Sequence, residues 1–136
     1  MLIRINEASE RAIYEQIADS VRADIASGKV RAGTVLPAAK RLAVALDINV
    51  HTVLRAYQQL RDERLVDLRR GRGAVVTALA STLVELSGEV RELVARARSL
   101  GVSQTTLAAL VANEGPGRTP PADPIPLQFS EEQAAA

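Results

Sequence analysis

At 136 residues with 47% apolar side chains, the chain can bury one small core and is too short for several domains. No cysteine and a single histidine argue against disulfides and against a thiolate or His-rich metal site, and no apolar run approaches the ~18 residues of a membrane span. The net charge of +1 hides an asymmetry: residues 1–78 carry 13 Lys+Arg against 9 Asp+Glu, residues 79–136 carry 4 against 7, so only the front half suits a polyanion.

Ile13, Ile17, Val21 and Ile25 recur every four residues, one face of a helix over 12–27, and Gly28 is a stop signal. KVRAGTVLP then reads as a loop with a short extended piece. Pro37 suits the first turn of a second helix through Leu46, because its missing N–H is not needed there. Leu42, Val44, Ala45 and Leu46 are its expected apolar side. Asp47-Ile48-Asn49 interrupts the pattern, and Asn49 is a good N-cap for a third helix from Val50 to about Glu63. Val50, Val53, Leu54, Tyr57 and Leu60 fall on its expected core side, with His51, Thr52, Arg55 and Gln59 opposite.

Leu65–Leu68 and Ala74–Thr77 are short β-like runs around Arg69-Arg70-Gly71-Arg72-Gly73, a hairpin tip. The order of elements is that of a helix-turn-helix followed by a wing. Beyond it, Leu79, Leu83, Leu86, Val90, Leu93, Ala97 and Leu100 alternate spacings of four and three, a heptad stripe suited to a subunit contact. Gly101 ends that helix, and Ser103 can cap a shorter one over 104–113. Residues 115–136 hold five of the six prolines and no periodicity, which reads as a disordered tail. The expected fold class is mainly α with a small β wing: a winged helix-turn-helix over 1–78 and a helical dimerisation segment over 79–114.

No nucleophile, base and orienting group occur together, and Gly71-Arg72-Gly73 is too short for a phosphate-cradling loop. Neither an enzyme nor a cofactor or metal is expected. A helix does fit the DNA major groove, where base edges carry a donor and acceptor code, and the readers belong at the start of the second helix of the motif. Asn49, His51, Thr52 and Arg55 stand there. Lys40 and Arg41 would lie over the backbone, and Arg69, Arg70 and Arg72, with Gly71 and Gly73 allowing close approach, suit phosphates or a narrow minor groove.

Ile13-Tyr14-Glu15-Gln16-Ile17, Ser27-Gly28-Lys29, Gly33, Leu36-Pro37-Ala38, Thr52-Val53, Leu60, Leu65-Val66 and Arg70-Gly71-Arg72-Gly73 occur in the order and spacing of a family. Over residues 10–78 the chain resembles the GntR family of bacterial transcription regulators. The short segment after the wing is similar to the YtrA subfamily, whose helical C-terminal part serves mainly for dimerisation. The resemblance implies a homodimer on double-stranded palindromic operator DNA, a repressor by function, cytoplasmic, with no dedicated effector pocket and an unknown effector. It also places Lys40, the start of the recognition helix and the wing tip against DNA. This sequence departs from the family at Ala39, commonly glutamate; Asp47, commonly glycine; Val50, often proline or arginine; and Arg64, usually glycine, which implies a less sharp end to the third helix. Rival expectations are a winged helix that binds an acidic protein, and a coiled-coil adaptor driven by residues 79–100.

Overall fold

A computed structural model of the chain describes residues 3–114; the tail expected over 115–136 lies outside them. The element order is α1 (Ile13–Ala26), α2 (Ala39–Leu46), α3 (Val50–Asp62), β1 (Val66–Arg69), β2 (Gly73–Val76), α4 (Leu79–Ser99) and α5 (Gln104–Asn113). The expected fold class is borne out: helices with one small antiparallel hairpin, Val66 paired with Val76 and Arg69 with Gly73. Contacts group the chain into two units, one up to Glu92 and one from Leu93.

The first unit is built on the four-residue spacing of α1. Ile17, Val21 and Ile25 are fully buried against Val53, Ala56, Tyr57 and Leu60 of α3. Burying one such aliphatic side chain contributes roughly 1.5–3 kcal/mol, so this contact, together with the packing of α2, supports α3. An ion-paired chain reinforces it outside. Arg11 binds Asp19 at 2.7 Å, Asp19 binds Arg22 at 2.6 Å, and Arg22 grips both carboxylate oxygens of Glu63. The Arg22 guanidinium, chiefly by hydrogen bonding, holds Glu63 below the usual carboxylate range although partial burial opposes it.

Several boundaries differ from the sequence reading. Pro37 lies before α2, not in its first turn. Ala38 is the N-cap in an extended conformation (ψ 140°), and the Pro37 carbonyl is taken by the Tyr57 hydroxyl at 2.7 Å. Burial pushes the Tyr57 hydroxyl up to about 12, so it remains a donor. The buried side of α2 is Leu42 and Ala43, while Val44 is 82% exposed and Ala45 is exposed too, because rotation per residue turns them away from α3. The hairpin strands are shifted by one residue from expectation, β1 to later and β2 to earlier positions. The extended piece before Pro37 has a partner: Val35 bridges Val75, with the Gly33 and Leu36 N–H groups donating to the Val76 and Ala74 carbonyls at 2.8 Å. The wing sheet thus gains a short third member.

The two departures at helix ends are resolved in backbone geometry. Asp47 adopts φ 55°, ψ 52°, and the Ile48 N–H reaches the Ala43 carbonyl, so the turn survives without glycine. Arg64 takes φ 65°, and α3 ends as sharply as with glycine: the Leu65 N–H donates to Leu60 at 3.0 Å and the Arg64 N–H to Arg61 at 2.8 Å. Left-handed backbone in a residue with a Cβ costs roughly 1–2 kcal/mol, which the doubly bonded cap offsets. Thr77 then donates to the Arg64 carbonyl at 2.6 Å and accepts from the Leu79 N–H, so one hydroxyl joins the end of α3 to the start of α4.

Early in α4, Ala80 is buried and Leu83 packs on the core of the first unit. Leu79, Leu86 and Val90 are 39–54% exposed. In the second unit Ala97 is buried and its carbonyl accepts the Val102 N–H at 2.8 Å. Leu93, Leu100, Leu110 and Val111 are exposed there, and Ser103 caps α5 through the Thr106 N–H at 3.1 Å.

Candidate nucleic-acid interface

The start of α3 is set by Asn49. Its side-chain oxygen accepts the His51 N–H at 2.8 Å, and its own carbonyl accepts the Thr52 N–H at 3.0 Å. That use of the oxygen leaves the Asn49 amide NH2 as the group free to donate outward. Fixing the cap also fixes the helical phase, so His51 and Arg55 lie one turn apart on the solvent side. Thr52 is only half-exposed and sits at the edge of this face.

Leu54 does not join the core as its apolar character suggested. It is 38% exposed, and Ala56 takes the buried position instead. The outward face therefore reads His51, Leu54, Arg55 and Gln58, the i, i+3, i+4, i+7 pattern of a helical stripe. Leu54 and Gln58 were missed from sequence; a strict count from His51 at i+3, i+4 and i+7 finds both. Chemically the face offers an imidazole, an apolar contact suited to a thymine methyl, a guanidinium and a carboxamide suited to adenine.

Arg55 is held from behind. Its guanidinium carbon lies 3.9 Å from the centroid of the Tyr14 ring on α1. Lys40, Arg41, Arg55, Arg70 and Arg72 make no ion pair among the described residues, whereas Arg11, Arg22, Arg61 and Arg69 do. Arg22 is therefore structural, whereas Lys40, Arg41, Arg55, Arg70 and Arg72, on α2, α3 and the wing, are exposed. Desolvating paired charges would be costly, so unpaired ones are better suited to meet phosphates.

The wing tip is closed by the Arg72 N–H donating to the Arg69 carbonyl at 3.0 Å. Gly71 occupies the third position of that turn at φ 82°, the sign a type II turn requires. A Cβ there would meet nothing within 4 Å, so the demand for glycine is one of backbone and not of space. All five residues Arg69–Gly73 are exposed, and Arg69 faces Asp67 at 3.6 Å. The first unit thus carries every DNA-facing residue expected from the sequence on α2, the start of α3 or the wing tip. No helix of the described residues is long and apolar enough to cross a membrane, and no group of metal-ligating side chains occurs among them.

Residues 13–76 match the family model described as bacterial regulatory proteins, gntR family. Over 107 residues the chain is 32% identical to the HTH-type transcriptional repressor YtrA of Bacillus subtilis strain 168, a match spanning 74% of this chain and 82% of that protein. It is similar to the solved structure of YtrA from Sulfolobus acidocaldarius, a GntR-family transcription factor, at TM-score 0.54 and 29% identity over 82% of this chain and 94% of that one. A GntR family transcriptional regulator from Listeria monocytogenes shares the fold at TM-score 0.55 and 23% identity, over 82% of this chain and all (100%) of that one.

Proposed function

The chain belongs to the gntR family of bacterial regulatory proteins, a transcription regulator with a DNA-binding winged helix, and from that premise we propose that it is a homodimeric repressor of a palindromic operator. In this reading residues 1–78 bind DNA and 79–114 hold the dimer. Helix α3 enters the major groove, with Asn49, His51, Thr52 and Arg55 toward base edges and the adjoining phosphates. Lys40 and Arg41 lie along the backbone, and Arg69–Gly73 grips phosphate or minor groove. The observation that carries it is the distribution of charge: Arg11 and Arg22, on the side where α1 meets the end of α3, are ion-paired, while Lys40, Arg41, Arg55, Arg70 and Arg72 are exposed and make no ion pair among the described residues. Such a protein works in the cytoplasm, where the DNA is.

Dimerisation is supported by the exposure of Leu79, Leu86 and Val90 in the first unit and of Leu93 and Leu100 in the second. Large apolar side chains recurring along one helix call for a cover. Repression is supported by the name of the Bacillus relative, of whose length the match covers 82%.

The test is selection of bound sequences from a randomised duplex library, with sedimentation of the resulting complex. An inverted repeat with half-site centres about one helical turn apart, roughly 34–36 Å, and two chains per duplex is expected. Failure to bind any duplex in a salt-sensitive way would overturn the proposal in favour of a protein partner.

A further inference from the structure

The contact between Arg55 and Tyr14 joins two elements that the helix-turn-helix motif treats separately. Tyr14 belongs to the first turn of α1, outside that motif. Its ring is half-buried against the core, and its hydroxyl donates to Glu15 Oε1 at 3.3 Å. The ring is therefore anchored by packing. Arg55 is exposed and makes neither a hydrogen bond nor an ion pair among the described residues. Its guanidinium carbon lies over the Tyr14 ring, 3.9 Å from the centroid.

A ring that close shields one side of the guanidinium and restricts the side chain, while its N–H groups stay unbonded among the described residues. A planar fork held in one orientation matches the paired O6 and N7 acceptors of guanine, which a freely rotating arginine meets only after losing its rotamer freedom. The ring also selects for arginine, since a lysine ammonium is a compact point charge with no flat face to stack.

We propose that Tyr14 is a positioning residue for sequence readout: its ring orders Arg55 before DNA arrives and so sets the discrimination for guanine at the base pair Arg55 meets. The proposal rests on the reading of α3 as the major-groove helix. Tyr14 itself contacts no base in it.

The test is a double-mutant cycle on the full chain. Binding is measured to the selected duplex and to one with the guanine under Arg55 replaced. Tyr14→Leu removes the π face and keeps apolar bulk. It should reduce the ratio of the two affinities by about three- to tenfold, the size of one exposed cation–π contact together with one ordered side chain. Tyr14→Phe keeps the face, loses only the bond to Glu15, and should retain the wild-type ratio. In an Arg55→Ala background Tyr14→Leu should have no further effect on the ratio. Equal weakening on both duplexes, or an undiminished effect without Arg55, would overturn the proposal. Wild-type protein that binds neither duplex would instead overturn the major-groove reading.

An independent readout uses unmutated protein, which answers the question even if Tyr14→Leu fails to fold. The Arg55 side-chain NMR signals should be ring-shifted in the free protein and remain so on the selected duplex. Loss of that shift on binding would mean that Arg55 leaves the ring to reach DNA, which contradicts positioning.

Discussion

Arg72→Ala tests the wing in a form that also counts subunits. Arg72 is exposed, unpaired among the described residues and held outward by the turn that its own N–H closes on Arg69. If it neutralises one phosphate, its removal flattens the plot of log affinity against log salt by about 0.9. A dimer presents two wings, so the change doubles to about 1.8 per operator. Between 50 and 200 mM salt, that difference in slope makes the wild type lose about tenfold more affinity than the variant. Fluorescence anisotropy of a labelled duplex at four or five potassium chloride concentrations measures it. A slope equal to wild type would refute the phosphate contact, and a change near 0.9 would refute two equivalent wings. Asp67→Asn should act in the opposite direction, because Arg69 loses the carboxylate 3.6 Å away and becomes free for DNA. The pair is exposed on both sides, so this effect should be smaller than that of Arg72.

Further predictions concern what holds the first unit together. Arg64→Gly relieves a φ of 65° without touching the cap bonds and should stabilise by about 0.5–1 kcal/mol in urea unfolding; Arg64→Ala, which keeps the strained backbone, should not. Tyr57→Phe leaves the Pro37 carbonyl without its 2.7 Å partner and should cost about 1–2 kcal/mol, read as a lower urea midpoint at an unchanged slope. Glu63→Gln should cost about 1 kcal/mol at neutral pH. Because the folded carboxyl lies below its ordinary 4.5, the stability it contributes is present above that pH and fades as pH falls through the folded value. The gap between wild type and Glu63→Gln should therefore close in acid.

Much of this was legible because the local signals agree. The α1 spacing, the Asn49 and Ser103 caps and the glycines around the wing each name their element without tertiary information, and the family resemblance held. Residue type alone does not fix burial. Val44 and Leu54 are apolar yet exposed, since helical phase decides which side of α2 faces α3 and which side of α3 faces α1. Propensity alone puts Pro37 inside α2, whereas a hydroxyl twenty residues later claims its carbonyl. Arg64 shows the reverse: a residue unfavourable for the geometry adopts it because two cap bonds and Thr77 over-determine the backbone. The stacking of Arg55 on Tyr14 had no sequence signal at all, because it joins residues forty-one positions apart through the packing of α1 on α3.

The bridge of Val35 to Val75 has a mechanical consequence. The residues that flank the wing on that side, Gly33 to Leu36, run directly into Pro37 and the start of α2. Backbone bonds on one side and the Tyr57 clasp on the other leave little slack between hairpin and helices. In the proposed mode of binding, the unit acts as a caliper of fixed span, whose jaws are α3 and the wing tip. Sequences whose minor groove is too wide or too narrow beside the half-site would be rejected by fit alone, at base pairs that no side chain touches.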